Sequence, residues 1–174
     1  MNRSRFLSWM VVAAVAGWAL SGCGYHLSGT GSTLPPHIKT VAIPVFANTS
    51  SEPEIHRELT NVIRQSFISD GRLKVVNNKN ADLVMKGTLN LYSLQAVSFN
   101  TKDVASEYYV ILGVEIDVKD RVKHKRFLKQ KFSTKWDFRT TADVINSEAA
   151  RQTALTDAYR DLANRLVSIV IDQF

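Results

Sequence analysis

Three consecutive stretches of the sequence, residues 83–94, 107–119 and 126–138, alternate apolar and polar side chains with a period of two. Successive side chains of a β-strand point to opposite faces of a sheet, so the alternation predicts three strands with one apolar face each. The apolar positions are Leu83, Met85, Leu89 and Leu91, then Val110, Leu112, Val114, Ile116 and Val118, then Leu128, Phe132, Trp136 and Phe138. The polar segment 120–124 is typical of a hairpin turn, so we expect antiparallel pairing.

Two further segments carry apolar residues at helical spacing. The first stripe consists of Ile55, Leu59, Val62, Ile63 and Phe67, and the second of Leu155, Ala158, Leu162, Leu166 and Ile169. Ser51 and Glu54 match a capping box, which predicts that the first helix begins there, and Asp70-Gly71 predicts its end. The second helix is expected over residues 143–172, and each helix should bury one face.

Two shorter β-rich segments complete the predicted fold. Residues 38–46 predict a first strand with Val41, Ile43 and Val45 on one face, and Pro44 indicates its end or an edge position. Residues 73–76 predict a second, short strand. The order of elements predicts an α+β domain with a mostly antiparallel sheet of about four strands and two helices packed on one face.

The N-terminus has the pattern of an export signal. Arg3 and Arg5 precede an apolar run over residues 6–20, which is shorter than the roughly 20 residues that a transmembrane helix needs. Residues 1–22 are therefore predicted to be a cleaved signal peptide, and an uncleaved anchor helix is the alternative. Without the two arginines the formal net charge falls from +6 to +4.

The segment Leu20-Ser21-Gly22-Cys23 resembles the lipobox of bacterial lipoproteins. Cys23, the only cysteine, would become the acylated first residue of the mature chain, with palmitate-type acyl chains in the membrane. Resemblance to other lipoproteins implies that Gly24 directs the chain to the cell outer membrane, facing the periplasm. Residues 23–36 are then a lipidated terminus with a flexible linker, and 37–174 a periplasmic domain; a lone cysteine after a signal is the alternative.

The sequence shows no motif for catalysis, metal binding or nucleic-acid binding. His26, His37, His56 and His124 are scattered without the spacing of zinc ligands, and no nucleophile elbow or phosphate-binding loop occurs. The mildly basic charge is not grouped with aromatic residues as in nucleic-acid binders. We therefore expect neither an enzyme nor a bound cofactor or metal, and no nucleic-acid partner.

Lysines of the third alternating stretch form the first candidate binding site. Lys129, Lys131 and Lys135 alternate with the apolar positions and so should lie on the face opposite the core, continuing a basic run of Lys123, Lys125 and Arg126. Their ammonium groups could hold the phosphates of lipopolysaccharide or an acidic rim of a partner. An ordinary solvated face, or an edge strand charged against edge-to-edge pairing, is the alternative.

The segment 97–106 between the first two alternating stretches is the second candidate. It contains Lys102 and an aromatic residue, Phe99, that we expect to be exposed. Exposed aromatic and basic side chains on a loop suit contact with a partner or lipopolysaccharide. A somewhat long hairpin connection without a binding role is the alternative.

The mature sequence resembles the LPS-assembly lipoprotein LptE family along most of its length. The matching segments are Cys23-Gly24-Tyr25-His26-Leu27, Leu34-Pro35, Ile38 to Pro44, Asp70-Gly71-Arg72-Leu73, Ala81-Asp82-Leu83 and Glu107-Tyr108. The resemblance implies a two-helix, four-stranded lipoprotein that sits inside the β-barrel protein LptD, helps it assemble and assists insertion of lipopolysaccharide into the outer leaflet. Of the candidate residues, only Cys23 is carried over from the family pattern.

Two other functions remain as alternatives. A freestanding lipid-binding periplasmic lipoprotein would need an apolar pocket in place of a filled core. A subunit of an oligomeric secretion-pore lipoprotein would need hairpins that span a membrane as strands of about 9 to 11 residues. The alternating stretches are long enough for such strands, so alternation alone does not decide between these functions.

Overall fold

The structure is a computed structural model that describes residues 34–141 and 143–172. The predicted signal peptide, Cys23 and most of the predicted linker lie outside the described residues. The elements in chain order are β1 (Thr40–Ala42), β2 (Ala47–Asn48), α1 (Ile55–Asp70), β3 (Lys74–Val75), β4 (Leu83–Phe99), β5 (Ala105–Asp120), β6 (Lys125–Arg139) and α2 (Val144–Asp172). A short 3-10 helix, Asn78–Asn80, precedes β4. The α+β class and the two helices are confirmed.

The sheet is mixed and larger than predicted. Over the described residues it has six strands in the order β3-β1-β4-β5-β6, with β2 also paired to β4. The β4–β5 and β5–β6 pairs are antiparallel, whereas β1 pairs in parallel with β3 and β4, and β2 in parallel with β4. Most of the paired residues are antiparallel, as predicted, but the sheet has six strands rather than about four. α1 carries the chain back between β1 and β3, which makes those strands parallel.

Both helices share one hydrophobic core with the sheet. α1 packs against α2, and α2 packs against β5 and β6. The core side of β5 is fully buried at Val110, Leu112, Val114, Ile116 and Val118. Leu34 also joins this core. A sheet with one face packed on helices and one face free explains why its long strands alternate so regularly.

A break between β1 and β2 corrects the prediction of one strand over residues 38–46. Val41 and Ile43 are buried as expected, but Val45 is 53% exposed and Phe46 is buried instead. The Phe46 ring lies where a Cβ on Gly87 would be, 2.4 Å from that position. Glycine on β4 therefore leaves the space into which Phe46 packs, and this contact displaces Val45 from the core side.

The start of α1 also differs from the predicted capping box. The helix begins at Ile55, and its cap residue Glu54 has a left-handed backbone (φ 66°) and makes no side-chain cap hydrogen bond. The Ser51 hydroxyl instead donates to the carbonyl of Tyr92, 3.3 Å away. The end of α1 is as predicted, because Gly71 adopts φ 77° after Asp70 and its N–H donates to Phe67.

A β-bulge corrects the predicted face of Leu91. The register between β4 and β5 shifts between Leu89 and Leu91, so Leu89 pairs with Val114 while Leu91 pairs with Gly113. One extra residue reverses the alternation that follows it. Leu91 therefore lies on the face away from the helices, where its Cβ is 2.9 Å from the position of a Cβ on Gly113.

The sheet has two distinct ends. One end carries the start of β1, the start of β4 and the β5–β6 turn, since Leu83 pairs with Asp120 and Asp120 pairs with Lys125. The other end carries the β4–β5 turn and the end of β6. β4 has 17 residues, which at about 3.3 Å per residue places the two ends roughly 55 Å apart along the strand. Within the described residues no helix has the length and hydropathy needed to cross a membrane.

Candidate functional site

The predicted lysines lie on the open face of the sheet, which we define as the face of β5 and β6 turned away from the helices. Lys129, Lys131 and Lys135 pair across to Asp117, Glu115 and Ile111 of β5. All three lysines are exposed, whereas Leu128, just before them, and Phe132, among them, are buried in the core. The structure therefore brings these three predicted residues together on one surface.

Acidic residues of β5 partly neutralise this surface. Lys129 Nζ lies 3.0 Å from Glu115 Oε1. Hydrogen bonding and charge from Lys129, aided by the charge of Lys131, hold the pKa of Glu115 below its ordinary value. The remaining lysine, Lys135, places Nζ 4.7 Å from the centre of the Tyr109 ring. Some lysines of the open face are therefore paired with carboxylates of β5, and the spacing of residues in the sequence did not predict this pairing.

Lys102 does not join the three lysines. It lies exposed in the β4–β5 turn, where its backbone N–H donates to the Asn100 side chain at 2.8 Å. Lys135 pairs with Ile111, six positions along β5 from Ala105, so roughly 20 Å of strand separates it from this turn. The candidate lysines therefore belong to two surfaces.

The β4–β5 turn and the start of α2 expose several large apolar side chains. Phe99 is 61% exposed, which agrees with the expectation for that residue, and Val104 is 58% exposed. Val144 and Ile145 at the start of α2 are 81% and 79% exposed. We call Phe99, Lys102 and Val104 the hairpin tip; its apolar side chains and lysine resemble a surface that contacts a partner.

The β5–β6 turn contains a buried carboxylate that the sequence did not single out. Asp120 Oδ1 accepts the backbone N–H groups of Val122 and Lys123 at 2.9 and 2.8 Å, and Oδ2 lies 2.8 Å from His37 Nε2. Burial opposes ionisation of Asp120, but the hydrogen bonds from His37, Lys123 and Val122 outweigh it and lower its pKa. His37 and Asp120 are 83 residues apart, so no local pattern could have paired them.

We also searched the described residues for a metal site and for a ligand-binding pocket. Among residues 34–141 and 143–172, no three His, Cys, Asp or Glu side chains are close enough to hold a metal ion. A groove between α1 and α2 is lined largely by polar and charged side chains, including Gln65, Asp70, Arg72 and Arg160. The core itself is filled, since the strand positions that face the helices are buried. The groove between α1 and α2 and the one beside the β5–β6 turn are both open to solvent and have charged side chains in their lining.

Several solved structures share this fold at low sequence identity. Rare lipoprotein B from Shewanella oneidensis is 19% identical with a TM-score of 0.52, covering 71% of this chain and 90% of its own. The hypothetical protein CT253 from Chlamydia trachomatis is 13% identical with a TM-score of 0.54, covering 76% and 98%. The PelC dodecamer from Paraburkholderia phytofirmans is 12% identical with a TM-score of 0.51, covering 82% and 96%. At these identities the likeness concerns the fold alone.

The fold is a two-layer α+β domain, and rare lipoprotein B shares it. Comparison with curated protein sequences gives no match. The sequence model described as LptE, lipopolysaccharide-assembly, matches residues 38–168, which is most of the chain and nearly the whole described domain. The chain belongs to the LptE family of lipopolysaccharide-assembly lipoproteins.

Proposed function

We propose that this chain is an outer-membrane lipoprotein that binds the β-barrel protein LptD from inside its lumen, supports assembly of that barrel and assists insertion of lipopolysaccharide into the outer leaflet. It acts without catalysing a reaction. The observation that carries the proposal is the family match over residues 38–168, which covers the entire sheet and most of α2.

The open face of the sheet supports docking inside a barrel. The lumens of outer-membrane barrels are polar. A plug must therefore present a polar surface, and the Lys129–Glu115 and Arg126–Asp117 ion pairs, at 3.0 and 3.4 Å, provide one. The hairpin tip adds exposed apolar area at one end, which suits a more specific contact with the partner or with acyl chains.

Lipopolysaccharide binding is proposed for two groups of lysines. The exposed ammonium groups of Lys129, Lys131 and Lys135 on the open face, and of Lys102 at the hairpin tip, can each donate to phosphate oxygens. Attraction of this kind between exposed charges weakens as salt is added. The acylated Cys23 would hold the domain at the periplasmic face of the outer membrane.

The two alternatives differ from this proposal in what they require. A freestanding lipid-binding lipoprotein needs an apolar cavity, and the filled core does not favour it. A subunit of a secretion pore is compatible with the fold, because the PelC dodecamer shares it. Docking into a barrel is favoured because the family match concerns lipopolysaccharide assembly.

Affinity purification of the full-length chain from detergent-solubilised outer membranes of its source cell tests the proposal. We expect a large barrel protein in equal amount. Changing Phe99 and Val104 to serine should reduce recovery of the barrel, whereas Val122→Ser, which alters an exposed valine at the opposite end, is the matched control. Rings of this chain alone would instead support the secretion pore, and an isolated chain would support the freestanding lipoprotein.

A further inference from the structure

The β5–β6 turn and its flanks form the most densely basic segment of the domain. Five of the eight residues from 119 to 126 are lysine or arginine. We define the basic turn as Lys119, Arg121, Lys123, Lys125 and Arg126. All five are exposed, and Lys119, Arg121, Lys125 and Arg126 line a shallow groove together with His124 and the buried Asp120. The basic turn lies at the opposite end of the sheet from the hairpin tip.

The positive charge of the basic turn is only partly compensated. Lys119 and Arg126 share one carboxylate, that of Asp117, at 4.0 and 3.4 Å. Arg121 donates to the backbone carbonyl of Asn78. Lys123 and Lys125 form no ion pair with any carboxylate of the described residues.

The one acid within the turn points inward. The side chain of Asp120 is 1% exposed, and its oxygens accept from the turn's backbone and from His37. These bonds hold the turn in shape and remove the carboxylate from the surface. The exposed side of the turn is therefore almost purely cationic.

The chain enters the domain at this same end. His37 contacts Asp120 directly, and Leu34, three residues earlier, is already buried in the core. Eleven residue steps separate Leu34 from Cys23. Fully extended, eleven residues span at most about 40 Å. A lipid on Cys23 would therefore hold Leu34, at the end of the sheet that carries the basic turn, within about 40 Å of the bilayer surface.

We propose that the basic turn contacts the phosphate groups of anionic phospholipids in the membrane that holds the Cys23 anchor, and so orients the domain with its hairpin tip away from that surface. The inference rests on the anchor in the proposed function. Three features support it: Lys123 and Lys125 have no ion pair within the described residues, the Asp120 carboxylate is buried, and only eleven residue steps separate Leu34 from Cys23. Each Lys or Arg held near an anionic bilayer strengthens binding about fivefold.

Vesicle sedimentation of the whole mature chain tests the contact without the anchor, using Cys23→Ser. We expect binding to vesicles of phosphatidylglycerol and phosphatidylcholine, loss of that binding at high salt, and none to phosphatidylcholine alone. Changing Lys123 and Lys125 to glutamate should weaken binding at least about twentyfold. The matched control changes Arg57 and Arg139 to glutamate, two exposed arginines that lie outside the basic turn and outside the proposed lipopolysaccharide sites, so the charge changes equally. Equal loss in both variants, or no binding by the parent chain, overturns the inference.

Single labels on the acylated chain test the orientation separately. Cys23 is the only native cysteine and is acylated in the proposal, so Val122→Cys or Val104→Cys provides one reactive thiol at either end. On anionic vesicles, energy transfer to a headgroup acceptor should be much stronger from position 122 than from 104. Equal transfer from both positions overturns the orientation. Neither experiment involves the barrel, so their failure is distinct from failure of the barrel purification.

Discussion

The Lys129 ammonium group lies 3.0 Å from the Glu115 carboxylate, across the β5–β6 pair on the open face. Both side chains are substantially exposed, so the pair contributes little to folding. Its main effect is on charge, because Glu115 neutralises a lysine that would otherwise be available to an anionic ligand. The affinity of the open face for phosphate groups therefore depends on the acidic residues of β5 as well as on the lysines of β6.

Removing Glu115 should strengthen lipopolysaccharide binding if the open face is a binding site. Glu115→Gln releases Lys129, and we expect affinity to rise several-fold at low salt. Changing Lys129, Lys131 and Lys135 together to glutamine should lower affinity about tenfold or more. Titration of lipopolysaccharide binding measures both effects, with Lys39, Lys74 and Lys79 changed to glutamine as the matched control. If the variant with Lys129, Lys131 and Lys135 changed to glutamine binds lipopolysaccharide with unchanged affinity, the open face is not a binding site.

Adding a methyl group at Gly87 should destabilise the domain. A Cβ there would lie 2.4 Å from the Phe46 ring, so the ring must move out of the core. We expect Gly87→Ala to lower the free energy of unfolding by about 1–3 kcal/mol. Urea denaturation measures the change. Because the two sites are in contact, combining Gly87→Ala with Phe46→Leu should cost less than the sum of the single changes; strict additivity would contradict the contact.

The low pKa of Asp120 predicts a loss of stability in acid. A carboxyl whose pKa is lower in the folded chain than the ordinary value of about 3.9 stabilises the fold above that pH. That contribution falls as the pH drops through the folded-state pKa. Asp120→Asn should cost about 1–3 kcal/mol near neutral pH, and the difference from wild type should shrink below about pH 4. Denaturation across pH measures it, with exposed Asp103→Asn as control; a difference that persists unchanged below pH 3 would argue against an ionised Asp120.

Replacing Cys23 should release the protein from the membrane. The thiol is the predicted site of acylation, so Cys23→Ser should leave a chain that fractionates with soluble periplasmic proteins. Mass spectrometry of the wild-type chain should find residues 1–22 absent and Cys23 carrying acyl chains. A chain that keeps the apolar run 6–20 would instead favour the uncleaved anchor helix.

The three long strands were predictable because each is buried on one side only. Side chains of β4, β5 and β6 point alternately toward the helices and toward the opposite face of the sheet. Apolar and polar residue types alternate in the same way, so the strands can be predicted from the sequence. Apolar residues at helical spacing predicted α2, and Asp70-Gly71 predicted the end of α1. Parallel pairing of β1 and β3 was missed, although a strand–helix–strand order over residues 38–76 carries that signal.

The remaining differences depend on contacts between distant residues. Leu91 lies on the other face because of a β-bulge, which the residue types in the sequence do not predict. Phe46 replaces Val45 in the core because Gly87 leaves room for its ring. The candidate lysines were placed on the correct face, but their pairing with Glu115 depends on strand register. The His37–Asp120 contact joins residues that lie far apart in sequence.

The separation of the two ends of β4 has a further consequence for a chain held by a lipid. Roughly 55 Å of strand exceeds the thickness of a bilayer's hydrocarbon core, which is about 30 Å. Enclosed in a barrel and fastened to the inner leaflet, a strand of this length would bring Phe99 and Val104 level with the opposite leaflet. One sheet would in this way reach both sides of a membrane while the barrel wall separates it from the hydrocarbon.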